Sequence, residues 1–221
     1  MAAEAVSLPI ISRTNVLVTL CLAALIFFGL PGTAHAQSVI KQPGNHPDYS
    51  FELEPHLAFQ WADRLGTEGG FGPGLRANIP FMHNGPISTI NNNMGISFGL
   101  DITFGNGGYG WCYGQYDPRF RPNGQDCSVT EFWLPVAMQW NFFLTKVISV
   151  FGEPGLAIVH RRWNYQYYCV NNVGAFCDYS YHSTDLDFIF GAGARFMFSD
   201  KVGATVRIGY PMLTAGINIL F

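Results

Sequence analysis

Eight stretches of this chain alternate apolar residues with polar or small ones at a period of two, the spacing at which successive side chains of an extended strand point to opposite faces. From Tyr49 the odd positions read Tyr49, Phe51, Leu53, Pro55, Leu57, Phe59 and Trp61, against Ser50, Glu52, Glu54, His56, Ala58 and Gln60. The pattern recurs in Phe71–Phe81, in Ile96–Phe104 and in Phe132–Leu144. It continues in Leu186–Phe198, Val202–Tyr210 and Leu213–Phe221. The fifth stretch sets Ile148, Val150, Leu156 and Ile158 against Ser149, Glu153, Gly155 and Arg161. Gly152 and Pro154 interrupt it, and a bulge there can switch its phase.

Eight amphipathic strands suit a soluble β-sandwich or lipocalin-like barrel as well as a membrane barrel, and the second face decides between them. Water-facing strands carry Lys, Glu, Thr and Ser. Here the second face carries many glycines, other small residues and a few isolated charges. Only 12% of the 221 residues are charged, against roughly a quarter in soluble domains. Aromatic residues make up 15%, and they gather near the ends of the apolar face, as membrane girdles do. The apolar face therefore points outward to lipid. The expected fold is all-β: an eight-stranded antiparallel transmembrane β-barrel with up-and-down meander topology. A net charge of −3 offers no basic excess for a phosphate backbone, so nucleic acid is not an expected partner.

The connections support that topology. Tight turns are expected near Thr145-Lys146 and near Ser199-Asp200-Lys201, and long loops at Gly105–Ser128 and Asn164–Ser183. Short turns alternating with long loops is the outer-membrane arrangement, with the short turns in the periplasm. The Met82–Asn92 connection is long for a periplasmic turn.

The first 36 residues read as a cleaved signal peptide. Arg13 precedes the apolar run Val16–Leu30, and Ala34-His35-Ala36 supplies a small-residue cleavage site. The run is shorter than the roughly 20 residues a spanning helix needs. Residues 37–48 then form a short periplasmic segment and 49–221 the barrel. Cys112, Cys127, Cys169 and Cys177 follow the cleavage site. An even count in an exported chain reads as disulfides. Local loop closure favours Cys112–Cys127 and Cys169–Cys177.

The mature region as a whole resembles the small eight-stranded outer-membrane β-barrels of the OmpA/OmpX type. The most specific element is the terminal strand, with Leu213, Ala215, Ile217 and Ile219 at alternate positions and Phe221 at the end. It resembles the signal read by the bacterial barrel-assembly machinery. The resemblance implies location in the outer membrane of a Gram-negative bacterium, contact with its lipid and lipopolysaccharide, and a monomer.

By strand phase the lumen receives Glu52, Glu54, Asp101, Glu131, Glu153 and Asp187, together with Arg76, Arg161, Arg195 and Arg207, with His56 beside them. Charges enclosed there must pair, because an unpaired charge out of bulk water costs several kcal/mol. A structural plug of ion pairs is the expectation, and a narrow porin-like channel gated by those pairs is the alternative. Some barrels of this size modify lipid A. His160 and His182-Ser183 invite that reading, but adjacent residues of a strand point to opposite faces. No enzyme and no cofactor is therefore expected, and cysteine spacings of 15 and 8 with no C-x-x-C, beside six scattered histidines, give no expected metal site. The loops 105–128 and 164–183 are the expected site for an external ligand. The aromatic run Trp163, Tyr165, Tyr167, Tyr179 and Tyr181 is read as interfacial girdle and strand extension.

Overall fold

The computed structural model describes residues 37–61, 67–107, 128–168 and 176–221. The alternating stretches become strands β1 (Glu52–Gln60), β2 (Thr67–Met82), β3 (Asn92–Gly107) and β4 (Ser128–Phe143). They continue as β5 (Ile148–Tyr168), β6 (Phe176–Met197), β7 (Val202–Tyr210) and β8 (Met212–Leu220). Each strand pairs antiparallel with its neighbours in sequence, and β8 pairs with β1 to close the barrel. This closed eight-stranded meander is the architecture of the small outer-membrane barrels that the sequence resembles. Closure leaves no strand edge unpaired around the belt, which is what an apolar surroundings demands of a sheet.

The register fixes the strand tilt. From Ala192 the pairing runs through Ile208, Leu213, Phe59, Phe71, Phe104, Thr130 and Arg162 to His182. One circuit thus returns to β6 ten residues from its start. With about 3.4 Å per residue and about 4.8 Å between strands, that stagger means a tilt of about 40° and a climb of about 25 Å per circuit.

The outer surface follows the alternation. Leu57, Leu75, Ile96, Leu100, Val136, Leu156, Phe188, Ile208 and Ile217 all point outward and are exposed. On the same ruler, Phe81, Phe198 and Phe221 lie near the end with the short turns and Trp61, Phe71 and Phe104 near the other, roughly 25–30 Å away, with exposed Phe59, Phe98, Phe188 and Phe190 between the two rings. These ends are called the turn end and the loop end.

The fifth strand keeps one phase. Its pairing with β4 and with β6 runs without a register shift through Gly152 and Pro154. The bulge considered there is absent because both residues lie on the outward face, where neither side chain has to enter the packed lumen. Irregularities occur instead in β2–β3, between Thr67 and Gly70 and between Pro80 and Met82.

Three expectations need correction. Trp163, read as part of an interfacial girdle, is buried on the inward face of β5. Asn164–Ser183 is mostly strand: Tyr165, Gln166, Tyr167 and Tyr168 pair with Tyr179, Asp178, Cys177 and Phe176. Alternation fails as a signal there because Tyr181 and His182, on opposite faces, are both exposed, so neither face needs to be apolar. Tyr49 does not extend β1 outward. It is buried at the turn end, where Asn93 Nδ2 donates to its hydroxyl at 3.4 Å.

The long Met82–Asn92 connection has a structural reason. The segment before β1 crosses the turn end and is tied to it. Val39 N donates to Leu144 O at 2.9 Å, and Asn91 N donates to Ile40 O at 2.7 Å. Asn91 Nδ2 donates to Asn45 O at 2.7 Å, and the His46 ring stacks on Phe143 at 4.4 Å. Residues 37–51 and the 83–91 connection together cover this end of the barrel.

Candidate functional site

The lumen is where this chain concentrates its chemistry. The period of two that turns leucines outward turns the intervening residues inward, and those residues are polar. Glu52, Glu54, His56, Arg76, Asp101, Glu131, Glu153, Arg161, Asp187, Arg195 and Arg207 are all buried inside the barrel.

At the turn end the contents are mostly amides. Asn78 Nδ2 donates to Gln139 Oε1 at 2.6 Å, Gln139 Nε2 to Asn141 Oδ1 at 2.9 Å, and Asn141 Nδ2 to Asn93 Oδ1 at 2.7 Å. Across from this ladder Arg195 Nη2 reaches the Glu52 carboxylate at 2.6 Å. Tyr49 closes the layer from below, and burial raises its phenol above the ordinary value, which keeps the hydroxyl protonated.

The central layer is a chain of ion pairs. Arg207 donates from Nη1 to Glu54 Oε1 at 2.9 Å, from Nη2 to Glu54 Oε2 at 3.2 Å and from Nε to Glu153 Oε2 at 2.5 Å. Arg76 reaches Glu153 Oε1 at 3.5 Å and Asp101 Oδ2 at 2.9 Å. Asp101 Oδ1 lies 2.7 Å from His56 Nε2. One connected set therefore joins β7, β1, β5, β2 and β3. Planar guanidinium forks suit it, since each can serve two carboxylates. Gly74 leaves the room for its last pair, because a Cβ there would fall on His56 Nε2 and Asp101 Oδ1.

Above the ions lies an apolar layer of Ala58, Trp133, Ala157, Val159, Ile189 and Met212. A cleft of about 30 Å³ between Trp133, Ile189, Tyr210 and Met212 reaches Arg76 and Arg207, room for roughly two waters. The loop end carries a second polar layer. Arg161 Nε donates to Glu131 Oε1 at 3.1 Å, and its Nη2 lies 3.7 Å from Asp187 Oδ2. Trp133 Nε1 and Gln60 Nε2 both donate to Glu131 Oε2, at 2.9 and 2.7 Å.

Sequence reasoning missed three contributors. Phe151 faces inward beneath two guanidinium groups, with Arg207 at 5.1 Å and Arg195 at 5.9 Å from its ring. Strand phase alone places it there once β5 is read without a bulge. The amide ladder and the Asn91-Asn92-Asn93 run were the second, and all three of these asparagines are buried. Asp185 was the third, reaching Arg161 Nη1 at 3.2 Å from the loop-end hairpin.

Leu213, Ala215, Ile217 and Ile219 lie on the outward face of β8, and Phe221 follows it at the seam with β1. Cys112, Cys127 and Cys169 lie outside the described residues, as do residues 1–36. Cys177 lies in β6, where its backbone pairs with Tyr167.

No family model and no curated protein matches the chain. Among solved structures, it is similar to Ail, the attachment invasion locus protein of Yersinia pestis, with 14% identity and a TM-score of 0.43 over 77% of this chain and 97% of that one. Similarity to Neisserial surface protein A is at 15% identity and a TM-score of 0.44, over 78% of this chain and 97% of that one.

Proposed function

We propose that this protein is an integral outer-membrane β-barrel with a sealed lumen, serving a structural and surface-interaction role rather than a catalytic one. The observation that carries the reading is the inversion of polarity: leucine, phenylalanine and valine outside, paired ions and amides inside. In water such an exterior is an aggregation hazard. In a bilayer it matches the hydrocarbon core, and the distance between the aromatic rings matches the height of a transmembrane barrel's belt.

The sealed lumen is supported by its layering. Eight strands leave an interior that side chains can fill. The central carboxylates Glu54, Asp101 and Glu153 are each engaged by an arginine, and the apolar layer around Trp133 narrows the space above them to a cleft with room for roughly two waters. These features favour the plug over a narrow channel. Insertion would proceed through the barrel-assembly machinery after cleavage of residues 1–36, and lipid and lipopolysaccharide would surround a monomer. The loop end, with its β5–β6 hairpin and the 105–128 connection, is the part available to an external ligand.

Cell fractionation and planar-bilayer recording test the reading together. The protein is expected in the outer-membrane fraction, to shift in gel mobility on heating, and to give no steady conductance steps. Recovery as a folded protein in detergent-free buffer would overturn the membrane assignment. Steady conductance would overturn the seal.

A further inference from the structure

Among the described residues, the outer wall of the loop end carries one group of cationic and polar side chains. Among the described residues, Arg76, Arg161, Arg195 and Arg207 point inward. Lys41, Lys146 and Lys201 lie at the turn end. Among the described residues, Arg162 is thus the one arginine or lysine on the outside of the loop end. The register sets it in the row Thr130–Arg162–His182, beside the row Phe132–His160–Thr184.

The group is held together by contacts of its own. His160 Nδ1 lies 2.9 Å from Thr184 Oγ1, and the rings of His160 and His182 stack at 5.7 Å and 21°. Arg162 Nε donates to Asn164 Oδ1 at 3.2 Å, so this bond uses neither terminal nitrogen of the exposed side chain. The same strands turn Glu131, Asp185 and Asp187 to the inner face, against Arg161. These three acids thus face away from Arg162.

The height of the group matters. The next row down, Leu134–Ile158–Leu186, is apolar and exposed, level with the upper aromatic ring. The two polar rows rise above it by roughly 5–10 Å, the depth of a bilayer's headgroup layer. A side-chain set at that level meets headgroups, not acyl chains and not bulk solvent.

We propose that His160, Arg162, His182 and Thr184 form a site for the phosphate of a phosphorylated lipid headgroup in the outer leaflet. The proposal rests on the membrane reading above and goes further by naming the ligand's chemistry. Arg162 supplies a two-pronged donor to two phosphate oxygens. With His160 Nδ1 donating to Thr184 Oγ1 at 2.9 Å, the Thr184 hydroxyl and a His182 N–H serve the third.

The test uses the purified protein in dodecyl maltoside micelles, with native mass spectrometry counting bound lipid. The probes are diphosphorylated lipid A, the same lipid after enzymatic dephosphorylation, and inorganic phosphate. Occupancy by the phosphorylated lipid is expected to exceed that by the dephosphorylated one, and Arg162→Gln is expected to lower it about fivefold, the equivalent of about 1 kcal/mol for one arginine. Adding His182→Gln should lower it further, while Arg162→Lys should retain part of it. Heat-dependent gel mobility verifies that each variant is folded. Equal occupancy by both lipids, or an Arg162→Gln variant that binds like the parent, would overturn the site. Displacement of lipid by millimolar inorganic phosphate would overturn the lipid assignment in favour of a free-anion site. Failure to remain folded in micelles would instead defeat the membrane reading.

Discussion

Arg207 on β7 holds Glu54 on β1 through two parallel hydrogen bonds, of 2.9 and 3.2 Å, although β8 lies between those strands in the barrel wall. The bonds cross the lumen, not the sheet. The third nitrogen of the same guanidinium meets Glu153 on β5. Backbone pairing ties each strand only to its neighbours, so this side chain supplies a connection the ladder cannot.

Removing Arg207 therefore leaves Glu54 without its arginine and Glu153 with the longer contact to Arg76, at 3.5 Å. Arg207→Ala is expected to lower stability by about 3–5 kcal/mol, the cost typical of breaking a buried pair from one side. Arg207→Lys should fall between, since an ammonium keeps the charge but cannot serve Glu54 in a fork. Urea unfolding of the micellar protein, followed by tryptophan fluorescence, reads both. An Arg207→Ala variant with the parent's midpoint would show that the central pairs do not hold the barrel.

Gly74 is expected to be nearly as sensitive, for a reason of space. A methyl group there would collide with the contact between His56 and Asp101, and both partners are fixed by further bonds. His56 Nδ1 lies 3.1 Å from the Glu54 backbone oxygen, and Asp101 Oδ2 accepts from Arg76. Gly74→Ala should cost about 1–3 kcal/mol, the range for overpacking a filled interior. Gly152 is the control, because a Cβ there meets nothing within 4 Å. Gly152→Ala should leave the urea midpoint unchanged or slightly higher. Equal midpoints for the two variants would reject the spatial argument.

The strands were legible because lipid-facing and lumen-facing residues differ in kind. Leu57 and Phe59 contrast with His56 and Ala58, and the contrast gives both the strand and its phase. Where the contrast vanishes the reading fails. Ser180, Tyr181 and His182 are exposed on both faces, so pairing there has no signature and the hairpin passes for a loop. The partners inside the barrel are hidden for another reason. Arg207 meets Glu54 because a ten-residue stagger brings β7 and β1 to matching heights, and stagger is a property of closure that no single strand encodes. The 83–91 connection reads as too long until the segment before β1 is seen lying against it, with Asn91 bonded to Ile40 and Asn45.

The cysteines carry a prediction about the loop end. Cys169 follows Tyr168 and Cys177 follows Phe176, and Tyr168 pairs directly with Phe176. The β5–β6 ladder therefore brings the chain on both sides of this short connection together. We expect Cys169–Cys177 and, by the same preference for local closure, Cys112–Cys127. Each closes a short loop and constrains the unfolded chain by about 3 kcal/mol. Peptide mapping without reductant decides it. A fragment joining Cys112 or Cys127 to either later cysteine would overturn the pairing, and four free thiols would remove the bridges.

Phe221 carries two roles that can be separated. Its ring is exposed at the turn-end girdle, 6.0 Å from Phe51, and terminates the alternating outward face of β8. Its backbone closes the seam: Phe221 N donates to Phe51 O at 2.8 Å, and Ser50 N donates to Phe221 O at 2.8 Å. Deleting Phe221 removes both roles, whereas Phe221→Ala keeps the backbone bonds and removes the ring. If the terminal aromatic is the assembly signal, both variants should insert slowly in cells. The alanine variant, once folded, should then unfold at nearly the parent's urea concentration. The deletion should also be less stable by roughly 1–3 kcal/mol, for two seam bonds at about 0.5–1.5 kcal/mol each. Pulse-chase measurement of heat-resistant gel mobility reads insertion, and urea unfolding reads the seam. Normal insertion of Phe221→Ala would reject the aromatic as a signal and leave the seam as the sole reason for the residue.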